Sequence, residues 1–255
     1  MIQFWNSHTG VTVFVMSVVF FATIIRSALG FGEALVAVPV LVMRIPLGTA
    51  APLAVLVSIT IAALIVAQDW RQVHARSAGW LLTSTLFGIP LGLMLLLNPH
   101  QTAVKLILAV VILFFAIFSL AFAKAARLGS DSKPWLLICG FFAGILGGAY
   151  GMNGPPLAVY GIMRGWSPQH FRATLQGYFL PASILGMIGY LWKGLWNHEL
   201  AYLYLLTLPV TIPAIWLGRI ANQSLPLHKF RTLVYVGLVV IGLVLALQTF
   251  YYARS

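Results

Sequence analysis

Long apolar stretches follow one another along almost the whole chain, with short polar segments between them. Stretches long enough to cross a bilayer occupy residues 11–25, 49–67, 79–97, 103–123, 173–192, 200–218 and 232–250. The strict alternation that is typical of outer-membrane barrel strands is absent. Charged residues make up only 7% of the 255 residues, whereas a soluble domain contains about a quarter. The pattern predicts a polytopic α-helical membrane protein.

Two of the apolar segments contain residues that break helices. Residues 11–43 are almost continuously apolar, and as one helix they would be about 50 Å long, which exceeds the ~30 Å hydrocarbon core. The chain is therefore expected to turn near Gly30 and Gly32, and a second turn is predicted near Gly151–Gly154 in "GGAYGMNGPP". The arms that follow, 34–43 and 155–163, are too short to cross and predict half-helices of re-entrant hairpins.

The two broken segments also resemble each other. "GFGEALVAVPVLVMR" at 30–44 aligns with "GMNGPPLAVYGIMR" at 151–164, so that Gly30 meets Gly151 and both end in Met-Arg. Internal duplication is common in transporters. We therefore divide the chain into a first membrane repeat, residues 1–123, a cytoplasmic linker, residues 124–134, and a second membrane repeat, residues 135–255.

The basic residues set the expected orientation. If each broken segment returns to its own side, the central linker and loops 68–78, 164–172 and 218–231, which carry most of the Lys and Arg, all lie in the cytoplasm. Three full spans per half then make the halves inverted, with both termini outside. The predicted fold is all-α and polytopic: two inverted repeats, each a broken, re-entrant helical hairpin plus three full transmembrane helices. The N-terminus lacks the basic region of a cleaved signal peptide.

The breaks predict a binding site made of backbone. Backbone groups in hydrocarbon must be hydrogen-bonded, so a segment such as Gly-Met-Asn-Gly-Pro-Pro belongs inside protein or beside a cavity. With Asn153 as N-cap and Pro155 in the first turn, one half-helix should begin near residue 154. The other should begin near Glu33–Ala34. Two helix N-termini facing the midplane would bind an anion. The alternative, that glycines only allow close helix packing, suits Gly140, Gly144 and Gly148.

Polar side chains near the breaks complete the candidate site. Arg26 either pairs with the anion or forms a structural ion pair with Glu33, and Glu33 either holds Arg26 or carries a coupling proton. A helix opened by Ser167 and Pro168 carries further polar groups. His170 and Arg172 either face the cavity or mark an interfacial start of the helix, whereas Gln176 and Tyr178 lie deeper and are the better cavity candidates. Asp69 and Asp131 are expected in solvated loops. The candidate substrate-binding residues are Arg26, Gly30, Gly32, Glu33, Ala34, Gly151, Asn153, Gly154, Pro155, Gln176 and Tyr178.

Several function classes find no support in the sequence. It contains no phosphate-binding loop, nucleophile elbow, paired carboxylates or metal-ligand spacing, so we expect neither an enzyme, a cofactor nor a metal. The net charge of +11 comes mostly from residues that flank apolar runs, which argues against nucleic acid as a partner. A basic cavity would, however, attract small anions.

The segments "GFGEALVAVPVLV" and "GGAYGMNGPPLAVYGIMRGWSPQHFRAT" resemble those of the sulfite exporter TauE/SafE family, although this chain has Glu33-Ala34 where the family usually has further glycine. The resemblance implies an inner (plasma) membrane permease for sulfur-containing anions. We therefore expect a transporter, acting as an exporter, of sulfite or organosulfonates bound between the two half-helix N-termini. An anion channel and a non-transporting scaffold subunit remain the alternatives. Glu33 is the candidate for proton coupling, and the oligomeric state is open.

Overall fold

The computed structural model describes residues 8–97, 128 and 131–226, together with residues 229, 232, 233, 236, 239, 240, 243 and 247. Within these residues the chain is helical and contains no strand. The predicted span 103–123 lies outside the described residues, as does most of the linker. Of the predicted span 232–250, isolated residues are described, and these are helical.

Eight α-helices occupy the described part of the chain. In the first half they are α1 (His8–Leu29), α2 (Glu33–Leu41), α3 (Leu47–Asp69) and α4 (Ala75–Leu96), with a short 3₁₀ turn at Trp70–Gln72. In the second half they are α5 (Lys133–Tyr150), α6 (Gly154–Met163), α7 (Pro168–Trp192) and α8 (His198–Ser224).

Among the residues that the structure describes, five helical segments are long and apolar enough to cross a membrane: Thr9–Leu29, Leu47–Gln72, Ala75–Leu96, Lys133–Tyr150 and His198–Ser224. Helix α7 has 25 residues, about 37 Å, but it is not one of these five. The prediction of a helical, multi-pass membrane protein is thereby confirmed. The inverted orientation of the two halves and the total number of spans stay predictions.

Both predicted helix breaks are present. Helix α1 ends at Leu29 and α2 begins at Glu33, while α5 ends at Tyr150 and α6 begins at Gly154. The turns use glycines in the left-handed region, with φ of 87° at Gly30, 101° at Gly32 and 69° at Gly151, where a β-carbon would be strained. Helices α2 and α6 contain 9 and 10 residues, about 14–15 Å, which is half of the hydrocarbon core.

Three helix pairs form the most extensive contacts between the two halves among the described residues. Helix α1 packs along α8, α4 along α5, and α3 along α7. Suppose that α1, α3 and α4 of the first half correspond to α5, α7 and α8 of the second. Replacing each helix by its counterpart then turns the α1–α8 pair into the α5–α4 pair, and it leaves the α3–α7 pair unchanged. The packing pattern is therefore the one that an internal twofold relation between the repeats would generate.

Small residues allow α4 and α5 to approach closely. A β-carbon on Gly144 would lie 2.6 Å from the carbonyl oxygen of Thr85 and 3.0 Å from the α-carbon of Gly88. Gly140 and Gly148 face the same helix in the same way. The packing role that the four-residue glycine spacing predicted is thus confirmed for this stripe. Gly30, Gly32 and Gly151 of the two breaks differ from the stripe in their left-handed φ.

Candidate functional site

The two helix breaks meet at one small cavity. Its lining consists of Arg26, Phe31, Gly32, Glu33, Ala34, Leu35, Gly151, Met152, Asn153, Gly154 and Phe179. A β-carbon built on Gly154 would lie 3.0 Å from the β-carbon of Phe31, so the two turns touch. The cavity has a volume of about 20 Å³, which is room for roughly one water molecule.

The cavity receives the N-terminal ends of α2 and α6, and no side chain caps either end. At α2, the N–H groups of Glu33, Ala34 and Leu35 belong to the first turn, which has no carbonyl partner within the helix. At α6, Pro155 and Pro156 have no N–H group, so the proline pair reduces the donors at that end. Buried helix N-termini without caps concentrate partial positive charge at the cavity.

Asn153 does not cap α6 as the sequence predicted. It occupies the N-cap position, but its φ of −79° and ψ of −5° are helical and its side chain makes no capping bond. A capping side chain needs an extended backbone at that position. The Asn153 amide instead lies against Gly147 and bonds the hydroxyl of Tyr178, which fixes one wall of the cavity.

Arg26 and Glu33 form a buried ion pair on the cavity wall. Their side chains are 5% and 2% exposed, and Nη1 of Arg26 lies 2.6 Å from Oε2 of Glu33. Nη1 also donates to the Ser58 hydroxyl at 2.6 Å, and the guanidinium carbon lies 4.8 Å from the centre of the Phe179 ring. The ion pair considered in the sequence analysis is therefore present, and Arg26 does not reach an interface. Both members nevertheless line the cavity.

Gln176 forms hydrogen bonds to both Arg26 and the first helix break. Its Oε1 accepts bonds from Nε and Nη2 of Arg26 at 3.1 and 2.8 Å, and its Nε2 donates to the carbonyl of Gly30 at 2.8 Å. Gln176 is fully buried and does not belong to the cavity lining. Its contacts therefore position Arg26 and the first turn, whereas the sequence placed it among the substrate-binding residues.

The predicted site residues thus separate into two groups. Arg26, Gly32, Glu33, Ala34, Gly151, Asn153 and Gly154 come together around the cavity. Gly30, Pro155, Gln176 and Tyr178 lie outside its lining: Gly30 packs against the backbone of Arg172, and the Tyr178 hydroxyl lies 2.7 Å from that of Thr85. Phe31, Leu35 and Met152 line the cavity but were missed, although Phe31 and Met152 each lie between two predicted residues and Leu35 directly follows one. Ser58 and Phe179 carried no signal in the sequence.

Side chains of the second half satisfy the broken end of α1. Nε of Arg172 donates to the carbonyl of Ser27 at 2.7 Å, and Nδ2 of Asn222 donates to that of Ala28 at 2.7 Å. Arg172 is 2% exposed and forms an ion pair with Asp69, which also binds Arg219 at 3.0 Å. Asp69 was predicted to be solvated in a loop, and that prediction was wrong, because it is the last residue of α3 and pairs with both arginines. Arg172 is buried and paired there because the last carbonyls of a buried helix require donors and favour a cation.

Asp131 is likewise not a freely solvated loop residue. It accepts hydrogen bonds from Ser77 at 2.9 Å, from Tyr160 at 3.1 Å and from Arg164 at 2.9 Å. Although burial alone would raise it, these hydrogen bonds hold the pKa of the Asp131 carboxyl below its ordinary value. Asp131 thereby ties the start of α4 to the end of α6, at the opposite end of α6 from the cavity.

Within residues 8–97 and 131–226, no group of three His, Cys, Asp or Glu side chains is arranged to hold a metal ion. The polar chemistry of the cavity therefore rests on Arg26, Glu33, Asn153 and the backbone of the two breaks. The two helix ends and the guanidinium of Arg26 bring hydrogen-bond donors and positive charge to the cavity, and the carboxyl group of Glu33 brings an acceptor.

Comparison with known proteins identifies the family. The family model described as Sulfite exporter TauE/SafE matches residues 15–245. A curated relative, the probable sulfite/organosulfonate exporter TauE of Cupriavidus necator, is 29% identical over 151 residues, which cover 59% of this chain and 58% of the relative. The match thus spans a little over half of the relative's length. No solved structure matches the chain. The chain belongs to the sulfite exporter TauE/SafE family.

Proposed function

We propose that this protein exports small sulfur-containing anions, sulfite or organosulfonates, and binds them between the N-termini of α2 and α6. One observation carries the proposal: two buried helix N-termini without caps meet at a single cavity. Arg26 contributes a guanidinium to the same wall. Membership of the TauE/SafE family supports the substrate class.

The hydrogen-bond donors at the N-termini of α2 and α6 suit an oxyanion. Sulfite and sulfonate groups present three oxygens, each of which can accept hydrogen bonds from the first-turn N–H groups of α2 and from Gly154. The partial positive charges of two helix ends add to the charge of Arg26. Because little water separates these groups, their attraction for an anion is stronger than at a protein surface.

The cavity volume requires movement. At about 20 Å³ it holds one water-sized group, whereas the smallest of these substrates has four non-hydrogen atoms. The turns at Phe31 and Gly154 must therefore separate before an anion enters. We propose that this conformation is an occluded one, and that rocking of one half against the other opens the cavity to each side in turn.

If the anion crosses without a coupled ion, the membrane potential supports its export. With both termini outside, the basic loops inside and the repeats inverted, an anion leaves the negative interior of the inner membrane. The potential then favours export by about 2.3 kcal/mol per charge per 100 mV, without an energy source in the chain.

Binding by a matched pair of variants tests the proposed site. Isothermal titration of the purified protein with sulfite and methanesulfonate should give saturable binding, with acetate much weaker. Gly154→Leu should abolish it, because a side chain there meets Phe31 and fills the cavity. Gly79→Leu is the control, since a β-carbon at that exposed position of α4 contacts nothing within 4 Å. Equal binding by both variants would contradict the site.

Flux measurements separate the transporter from its alternatives. Protein reconstituted in liposomes should move sulfite at a rate that saturates with concentration. A rate that rises linearly to high concentration would favour an anion channel, and no movement would favour a scaffold subunit.

A further inference from the structure

The Glu33 carboxylate binds the same guanidinium that a bound anion would need. This carboxylate lies 2.6 Å from Nη1 of Arg26, and Glu33 is the first residue of α2, at the positive end of that helix. Arg26 and Glu33 are the two charged residues in the cavity lining. When Glu33 is ionised, the Arg26–Glu33 pair has no net charge. The Glu33 carboxylate then competes with an incoming anion for the guanidinium of Arg26.

The charge balance of the cavity decides how an anion can enter. Arg26, an ionised Glu33 and a monoanion would together leave one uncompensated negative charge in a buried site, which is costly. If Glu33 takes up a proton, its carboxylate becomes a neutral carboxylic acid. The anion then compensates Arg26, and the loaded site has the same net charge as the empty one.

From this balance, which rests on the proposed function, we propose that each anion binds together with one proton, taken up by Glu33. The anion replaces the Glu33 carboxylate on Nη1 of Arg26, and the protonated Glu33 can in turn donate a hydrogen bond to it. A monoanion and a proton then cross together as an electroneutral pair. Because the pair carries no net charge, the membrane potential would not contribute as it does for an anion that crosses alone, and the gradients of substrate and proton would set the direction of transport.

The surroundings of the pair support this exchange. Arg26 keeps its position when Glu33 releases it, because Ser58 of α3 and Gln176 of α7 hold the guanidinium through separate bonds. Around the cavity, the turn before α6 contributes Asn153 and α7 contributes Phe179. None of these four side chains ionises between pH 5 and 8, so among the described residues in contact with the pair Glu33 is the group that can accept the proton.

Proton uptake during binding tests the inference on the wild-type protein. Methanesulfonate is the probe, because its charge is constant between pH 5 and 8, whereas sulfite itself titrates. Titration in buffers of different ionisation enthalpy should show about one proton taken up per anion, and affinity should rise up to about tenfold for each pH unit of acidification. Binding without proton uptake would overturn the inference and leave the proposed function intact.

Two variants test whether Glu33 is the residue that takes up the proton. Glu33→Gln removes the competing charge, so it should bind methanesulfonate without proton uptake and with an affinity that no longer depends on pH. Glu199→Gln, at an exposed acid in the first turn of α8, should retain the wild-type uptake. Continued uptake by Glu33→Gln would overturn the inference, since another group would then take the proton. Failure of the wild type to bind any sulfonate would instead contradict the proposed function, and the inference with it.

Discussion

Replacing Gln176 with methionine removes three hydrogen bonds while nearly preserving side-chain volume. Gln176 accepts two bonds from the guanidinium of Arg26 and donates one to the carbonyl of Gly30. Because it is fully buried, no solvent replaces these partners. Methionine fills the space, so the loss of packing is small.

The expected loss of stability follows from those bonds. A hydrogen bond to a charged group contributes about 1.5–3 kcal/mol and a neutral one about 0.5–1.5 kcal/mol. Because the two bonds from Arg26 share one oxygen, we count them as a single charged interaction. The variant should then lose roughly 2–4 kcal/mol of unfolding free energy, which in a protein of this size lowers the melting temperature by roughly 5–15 °C.

Differential scanning fluorimetry of detergent-solubilised protein measures this change. Gln68→Met is the matched control, because the same substitution is made on the same protein at an exposed position of α3. Gln176→Met should also weaken methanesulfonate binding, since Arg26 is no longer held in place. If the two variants melt within about 2 °C of each other, Gln176 does not position Arg26 and the reasoning fails.

Three further predictions concern contacts between the halves. Asn222→Leu leaves the carbonyl of Ala28 without its donor and should cost about 1–3 kcal/mol of unfolding free energy, measured as a lower melting temperature. An unchanged melting temperature would contradict a stabilising role of Asn222 at the end of α1. Gly144→Leu places a side chain against Thr85 and should prevent α4 and α5 from packing, seen as aggregation on size-exclusion chromatography, whereas Gly79→Leu should elute normally. The lowered pKa of Asp131 means that its stabilising contribution is present above the ordinary carboxyl pKa of about 4 and is lost as pH falls through the lower folded-state pKa. Asp131→Asn should therefore lower the melting temperature at pH 7 and narrow its gap to the wild type on acidification; a gap that stays constant below pH 4 would refute this.

The position of both helix breaks could be predicted from local chemistry. Residues 11–43 are too long and apolar for one span, and Gly30 and Gly32 lie where the turn must fall. In the second half, Asn-Gly-Pro-Pro cannot continue a helix, and α6 begins at Gly154 as expected. Such features are local because a break depends on backbone freedom and missing N–H donors, which residue types specify by themselves.

The identity of the side chains around the breaks was decided by the tertiary structure. Gln176 lies 150 residues from Arg26 along the chain, and Arg172 lies 145 residues from Ser27. Nothing in either local sequence specifies the other member, because each pair forms only when α7 packs against α1 and α3. The same packing brings Phe179 over Arg26 and turns Asn153 away from the cap.

The sequence by itself determined that this is a helical membrane protein with two broken segments and a charged pair, Arg26 and Glu33, beside the first break. Hydrophobic length, helix breakers and the cost of buried charge are all properties of short stretches. Only the tertiary structure decided that the two breaks share a cavity with room for about one water molecule, and that Arg26 and Glu33 face it. Those facts depend on how helices that are distant in the chain pack together, and no local pattern encodes that packing.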